Sequence, residues 1–278
     1  MNINKQTMEC ETEQFLEVLF SLEEVEKISI KDIPVTSPAD IAGRKAGLAE
    51  CYHDNLSDVD INVWARLNPK DFKRATPVYK TFFPRLQLED RVFGIVFQER
   101  DSTRENREGM RIVLKSGFRM DVTCHIRCDA SAIPLPESDL RMEENTENTG
   151  LDLDQANAFW FCAIQALAKL LRRDYLIGDH LSYMLLMEGL VLQMINRDNT
   201  YHTNFHRYGY AEELMYQTVD LAEYQDYIIH SDKTYEHIAE NLVRAVVSYD
   251  ELASAASSRY EKRCSLFFAI WDCYLTGI

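Results

Sequence analysis

The segment Leu56-Ser57-Asp58-Val59-Asp60-Ile61-Asn62-Val63 sets two carboxylates two residues apart in an alternating apolar frame. On a strand, residues i and i+2 share a face. Asp58 and Asp60 are therefore expected to point one way, while Val59, Ile61 and Val63 point into a core. Neighbouring carboxylates repel and make each other harder to ionise. A counter-cation relieves that cost, and a hard divalent ion such as Mg²⁺ prefers oxygen ligands. A third carboxylate, Asp121, lies in Phe118-Arg119-Met120-Asp121-Val122-Thr123, where Met120 and Val122 face one side and Arg119, Asp121 and Thr123 the other. If the two strands are neighbours, Asp58, Asp60 and Asp121 form a metal-binding cluster for one or two Mg²⁺ ions. A two-metal site activates an attacking oxygen and neutralises a triphosphate. An isolated Asp-x-Asp usually marks a solvated face or a turn. The apolar alternation, Ser57 ahead of the pair and Asp121 inside a later apolar strand together argue for a site.

The elements that must carry these residues read as follows. Residues 15–25 form an amphipathic helix, with Phe15, Leu16, Leu19, Phe20 and Leu22 as its apolar stripe. Residues 59–63 alternate as a half-buried strand does. Further strands are expected at 92–98, 110–114 and 118–123, the last two joined as a hairpin through Ser116-Gly117. Residues 134–150 have the composition of a linker, with prolines, glutamates, asparagines and threonines. Beyond it, 152–173, 179–196 and 233–277 carry helix formers at helical spacing. The expected fold is α+β: a mixed β-sheet domain with flanking helices over 1–135, then an α-helical bundle over 151–278.

The 278 residues are 46% hydrophobic and 11% aromatic, enough for a sizeable core, which excludes a wholly disordered chain. The net charge of −15 repels a polyanion, so no nucleic-acid partner is expected, whereas a cationic small substrate suits the surface. No stretch reaches the roughly 18 apolar residues of a membrane span. The residues from Met1 to Gln6 lack the character of a signal peptide, and the seven scattered cysteines read as reduced thiols. Together these make a cytoplasmic location, away from membranes, the expectation. Cys124, His125 and Cys128 have no second ligand pair at zinc-site spacing.

At this point the chain resembles the nucleotidyltransferase superfamily, whose pattern is a Gly-Ser at a helix start, an Asp-x-Asp strand and a third Asp on a later strand. Within it the chain looks most like the aminoglycoside 6-adenylyltransferase (streptomycin adenylyltransferase) family. Phe159-Trp160 opens the helical half as a Phe-Trp pair does there. Lys169, Arg172 and Asp174 fall near the family's basic-then-acidic segment. Ile177-Gly178-Asp179-His180-Leu181 is similar to its Ile-Asp-His-Phe stretch, with Glu188 nine residues after Asp179. The likeness runs weakly over most of the chain. One departure is that Gly43-Arg44 stands where the family has Gly-Ser. Thr36-Ser37 before Pro38 is the rival placement of that loop, at a longer distance from Asp58.

The resemblance implies transfer of AMP from ATP, with Mg²⁺, to a hydroxyl of a small cationic acceptor, an aminoglycoside such as streptomycin. It implies Gly43, Arg44 and Ser57 as nucleotide contacts, with Gly43 letting the backbone approach a phosphate. Asp179 is the candidate general base, against the alternative that Gly178-Asp179 is a helix N-cap. Glu188 is the second candidate, although nine residues turn an ideal helix through roughly 900°, half a turn out of phase. Phe159, Trp160 and Phe161 read more readily as bundle core than as a stacking platform. Lys169, Arg172 and Arg173 read as a solvated face, His202 and His206 as loop packing and His125 as structural. The different reading is a non-catalytic nucleotide-binding or regulatory module on the same fold.

Overall fold

The computed structural model describes residues 5–43, 45, 47–48, 56–67, 83–100, 106–128, 151, 153–201 and 234–277. The chain divides into two compact units, one of 1–146 with 273–278 and one of 147–272.

The first unit begins with helix α1 (Lys5–Ser21), which buries Met8, Thr12, Phe15, Leu16 and Leu19 along one face. It starts earlier than the expected helix and stops before Val25. The reason is tertiary: Val25 opens strand β1 (Val25–Ile30), which pairs with the strand carrying Asp60. Strand β2 (Ile33–Val35) returns from β1 through a turn of Lys31 and Asp32. Both turn residues have positive φ, 45° and 38°, the left-handed geometry that a tight two-residue hairpin demands. Non-glycine residues hold it at a cost of about 1–2 kcal/mol each. This hairpin is absent from the sequence reading because no Asn-Gly or Asp-Gly marks it. A short helix α2 (Ala39–Ala42) follows.

The remaining strands are β3 (Val59–Leu67), β4 (Val92–Arg100), β5 (Asn106–Leu114) and β6 (Arg119–Cys128). They complete a six-stranded mixed sheet in the order β2-β1-β3-β6-β5-β4. Only β3 and β6 pair in parallel; the other neighbours are antiparallel. The expected hairpin is the β5–β6 turn, with Gly117 at φ 85°. One sheet face buries Val59, Ile61, Val63 and Ala65 from β3 against Met120, Val122, Cys124 and Ile126 from β6. Polar residues alternate with them, so the opposite face carries the chemistry.

The second unit holds α3 (Leu153–Leu171), α4 (Tyr175–Tyr201), α5 (Tyr235–Ala256) and most of α6 (Cys264–Gly277). The helix-forming stretch of 233–277 divides into α5 and α6, with Ser257 extended after α5 at φ −148° and ψ 125°. Asp250, 3% exposed, then accepts hydrogen bonds from the Tyr260 hydroxyl at 2.7 Å and from the Arg263 and Cys264 amides at 2.9 and 3.2 Å. A carboxylate on the first amides of α6 satisfies donors that have no partner inside the helix. Trp160 Nε1 donates to the same Tyr260 hydroxyl at 2.7 Å. The architecture is thus mixed α and β, and no helix among the described residues is long and apolar enough to cross a membrane.

Candidate functional site

The parallel register of β3 and β6 sets Asp60 directly beside Asp121, and Asn62 beside Thr123. Alternation sends all four to the polar face of the sheet. Asp58 lies just ahead of β3 instead of on it, and the third strand of the site, β5, sets Arg111 beside Asp121. The last residue of β1 leads into Lys31, whose amide donates to the Asp60 carbonyl at 3.0 Å. Lys31, Asp32, Asp60, Ile61, Asn62, Asp121 and Thr123 line a pocket of about 460 Å³.

Two guanidiniums hold two of the three carboxylates, Asp58 and Asp121. Arg111 lies between Asp58 and Asp121, its Nη2 3.5 Å from Asp58 Oδ2 and its Nε 3.4 Å from Asp121 Oδ2. Arg119 is 5% exposed; its Nη2 lies 3.6 Å from Asp58 Oδ2, and its Nη1 donates to the Leu56 carbonyl at 2.9 Å. The charges sort the carboxylates. Burial pushes the Asp58 carboxyl up, but the Arg119 guanidinium, its own backbone amide and Arg111 outweigh burial and hold it below the usual carboxylate value. For Asp60, burial and then the charges of Asp58 and Asp121 push the carboxyl above that value, against the pull of Lys31 and Arg111.

Three carboxylates from neighbouring backbone positions are a hard-oxygen donor set, which suits Mg²⁺ in kind. Among the described residues, no three His, Cys, Asp or Glu side chains are gathered closely enough to grip an ion as they stand. The donors fit the ion by chemical type, and the guanidinium of Arg111 stands between two of them.

The other expected nucleotide contacts lie elsewhere. Gly43 is the C-cap of α2, its amide bonded to the Ala39 carbonyl at 2.7 Å with an ordinary φ of −73°, and it does not line the pocket. Arg44 lies outside the described residues, and Ser57 is half-buried ahead of β3 without lining the pocket. The rival Thr36-Ser37 amides are taken by Asp40 Oδ2, at 2.7 and 3.4 Å. The Thr36 amide is the main cause of an Asp40 carboxyl below its usual value. A carboxylate therefore already occupies the amides that a phosphate would use there.

Asp179 belongs to the second unit. It sits inside α4, four residues beyond its first, and is 6% exposed; its Oδ1 has no hydrogen-bond partner among the described residues. It is therefore not the N-cap that Gly178-Asp179 suggests. Asp174 takes that part, accepting from the Ile177 amide at 3.4 Å. Glu188, on the same helix and half-exposed, accepts from Gln155 Nε2 at 2.9 Å. Phe159, Trp160 and Phe161 are buried, and Phe159 stacks on Tyr249 with ring centroids 3.5 Å apart. Lys169 pairs with Asp174 at 3.2 Å. His125 stacks on Trp64 at 4.7 Å and faces Asn62 at 3.4 Å, a packed position. His202 and His206 lie outside the described residues.

Sequence reasoning missed Lys31, Arg111 and Arg119 as members of the site. Arg111 was within reach: the hairpin around Ser116-Gly117 fixes its pairing with Asp121. Lys31 was not, because it reaches the site through the unsignalled hairpin of β1 and β2.

No protein-family model matches the sequence, and no curated protein does either. Among solved structures, an aminoglycoside 6-adenyltransferase from Bacillus subtilis is similar at 11% identity and a TM-score of 0.34, over 96% of this chain and 98% of that one. A superposition that loose does not establish a common fold, so the functional reading rests on the pocket and its carboxylates.

Proposed function

We propose that the chain is a metal-dependent nucleotidyltransferase that moves AMP from ATP to a hydroxyl of a small cationic acceptor. The observation that carries this reading is the in-register pair Asp60 and Asp121 lining one pocket with the cation Lys31. Asp58, Asp60 and Asp121 would hold Mg²⁺, which when bound supplies charge neutralisation at the triphosphate and a more acidic hydroxyl. The chain's own residues do the rest. The Lys31 ammonium takes a phosphate oxygen, replacing the contact that the altered Gly43-Arg44 loop would give in the family the sequence resembles. Asn62 and Thr123 supply neutral hydrogen-bonding groups to the pocket wall. The raised carboxyl of Asp60 gains most from a bound cation, because its neighbours' charges oppose its ionisation. An aminoglycoside such as streptomycin as acceptor follows from the resemblance of the sequence motifs, and the net charge of −15 is compatible with such a cation. Asp179 as proton acceptor is a separate proposal on the second unit.

A second reading, a nucleotide-binding module without catalysis, is favoured by the Asp40 carboxylate on the Thr36 and Ser37 amides. One experiment separates the two: pyrophosphate release from ATP with Mg²⁺ and a panel of aminoglycosides, for wild type and Asp121→Asn. Acceptor-dependent release lost in the variant supports transfer. ATP binding with no release for any acceptor supports the module.

A further inference from the structure

We propose that Arg111 is the resident counter-ion of the carboxylate cluster, and that a divalent cation enters by displacing its guanidinium. The inference rests on the reading of Asp58, Asp60 and Asp121 as metal ligands and names the residue that regulates their loading. Arg111 stands on β5 in register with Asp121, so the sheet itself delivers it to the cluster. One guanidinium spans two carboxylates, Nη2 towards Asp58 at 3.5 Å and Nε towards Asp121 at 3.4 Å. These are the oxygens a hard cation would need, and a ligand oxygen held by a guanidinium is not free to close on an ion. Arg119 differs in kind. It is almost fully buried, anchored to the Leu56 carbonyl, and of the three carboxylates pairs with Asp58, so it is a fixed part of the wall. Arg111 is more exposed, at 22%, and its displacement leaves Asp58 still paired with Arg119. Until metal arrives, its planar fork keeps Asp58 and Asp121 at fixed separation and offsets their repulsion. The carboxylates are thereby kept on one sheet face but not gathered on an ion, and the exchange of one cation for another sets the metal concentration at which they close on it.

The test is Mn²⁺ binding, read by calorimetry on the full chain, together with metal-free thermal stability, for wild type, Arg111→Met and Arg111→Lys. Arg111→Met is expected to melt lower without metal and to bind Mn²⁺ about tenfold more tightly, two partly exposed ion pairs no longer competing. Arg111→Lys keeps the charge but cannot span two carboxylates, so its affinity is expected between the two. If Arg111→Lys binds like wild type, only net charge matters and the bridging role is overturned; this variant decides the matter if Arg111→Met does not fold. If wild type binds Mn²⁺ and neither variant binds it more tightly, the counter-ion role falls while the metal-site reading stands. If no form binds Mn²⁺, both fall.

Discussion

Asp60→Asn gives the sharpest test of the charge arrangement, because it changes one charge and little volume. Adjacent strands lie about 4.8 Å apart. Two unit charges at that separation repel by about 0.9 kcal/mol in bulk water and by about 3.5 kcal/mol at an effective dielectric near 20. Asp60 is exposed, so screening places its repulsion from Asp121 towards the lower figure. Asp58 adds to the repulsion, while Lys31 and Arg111 offset part of it. The net expectation is that metal-free Asp60→Asn is more stable than wild type by about 1 kcal/mol at neutral pH, a rise in Tm of about 2–4 °C. The pH dependence follows from the raised carboxyl. Folded Asp60 holds its proton to a higher pH than the ordinary value of 3.8, so its ionisation costs stability above the folded value and nothing below the unfolded one. The variant's advantage is therefore present at pH 7, shrinks as pH falls through the folded value, and is gone well below 3.8, at about pH 3. Saturating Mg²⁺ reverses the order, raising the wild-type Tm and leaving the variant behind. Melting curves at both pH values, with and without Mg²⁺, measure all of this. An Asp60→Asn protein that is less stable than wild type at pH 7 without metal, or whose advantage persists undiminished at about pH 3, refutes the reasoning.

Other expectations follow from the same geometry. Lys31→Ala raises the KM for ATP about tenfold with a smaller change in kcat, as loss of a cation–phosphate contact should in steady-state kinetics. Asp179→Asn, if that carboxylate takes the acceptor's proton, lowers kcat by about 10²-fold or more while calorimetry finds MgATP bound as before. Arg119→Met removes a buried cation and its bond to the Leu56 carbonyl, so denaturant unfolding should show a loss of about 2–4 kcal/mol, tempered by the partial exposure of Asp58. Asp250→Ala strips three hydrogen bonds from one buried carboxylate and should destabilise the second unit by about 3 kcal/mol, read as an earlier Tm with normal Mn²⁺ binding.

How far the sequence could be read depended on how local each signal is. Strand β3 announced itself, because Val59, Ile61 and Val63 alternate with polar residues within a single stretch. Turn chemistry at Ser116-Gly117 likewise announced the β5–β6 hairpin and Asp121 on its second strand. Helices α3 and α4 followed from their helix formers. Elements that depend on a partner were missed. Val25 belongs to β1 because β3 offers it a hydrogen-bonding edge, and the break before α6 exists because Asp250 caps the new helix from ten or more residues away.

The same division runs through the site. Residue identity and period alone determined that Asp60 and Asp121 leave their strands on polar faces, and that Val59, Ile61, Met120 and Val122 go to the core. Alternation is a property of the extended backbone and needs no neighbour. Only the tertiary structure decided that β3 and β6 are parallel neighbours in the register that sets Asp60 beside Asp121. It also decided that Arg111 bridges two of the carboxylates, and that Lys31 rather than Gly43 lines their pocket. Those are pairings between segments far apart in the chain, chosen by the burial of one whole sheet face, and no short stretch of sequence carries that information.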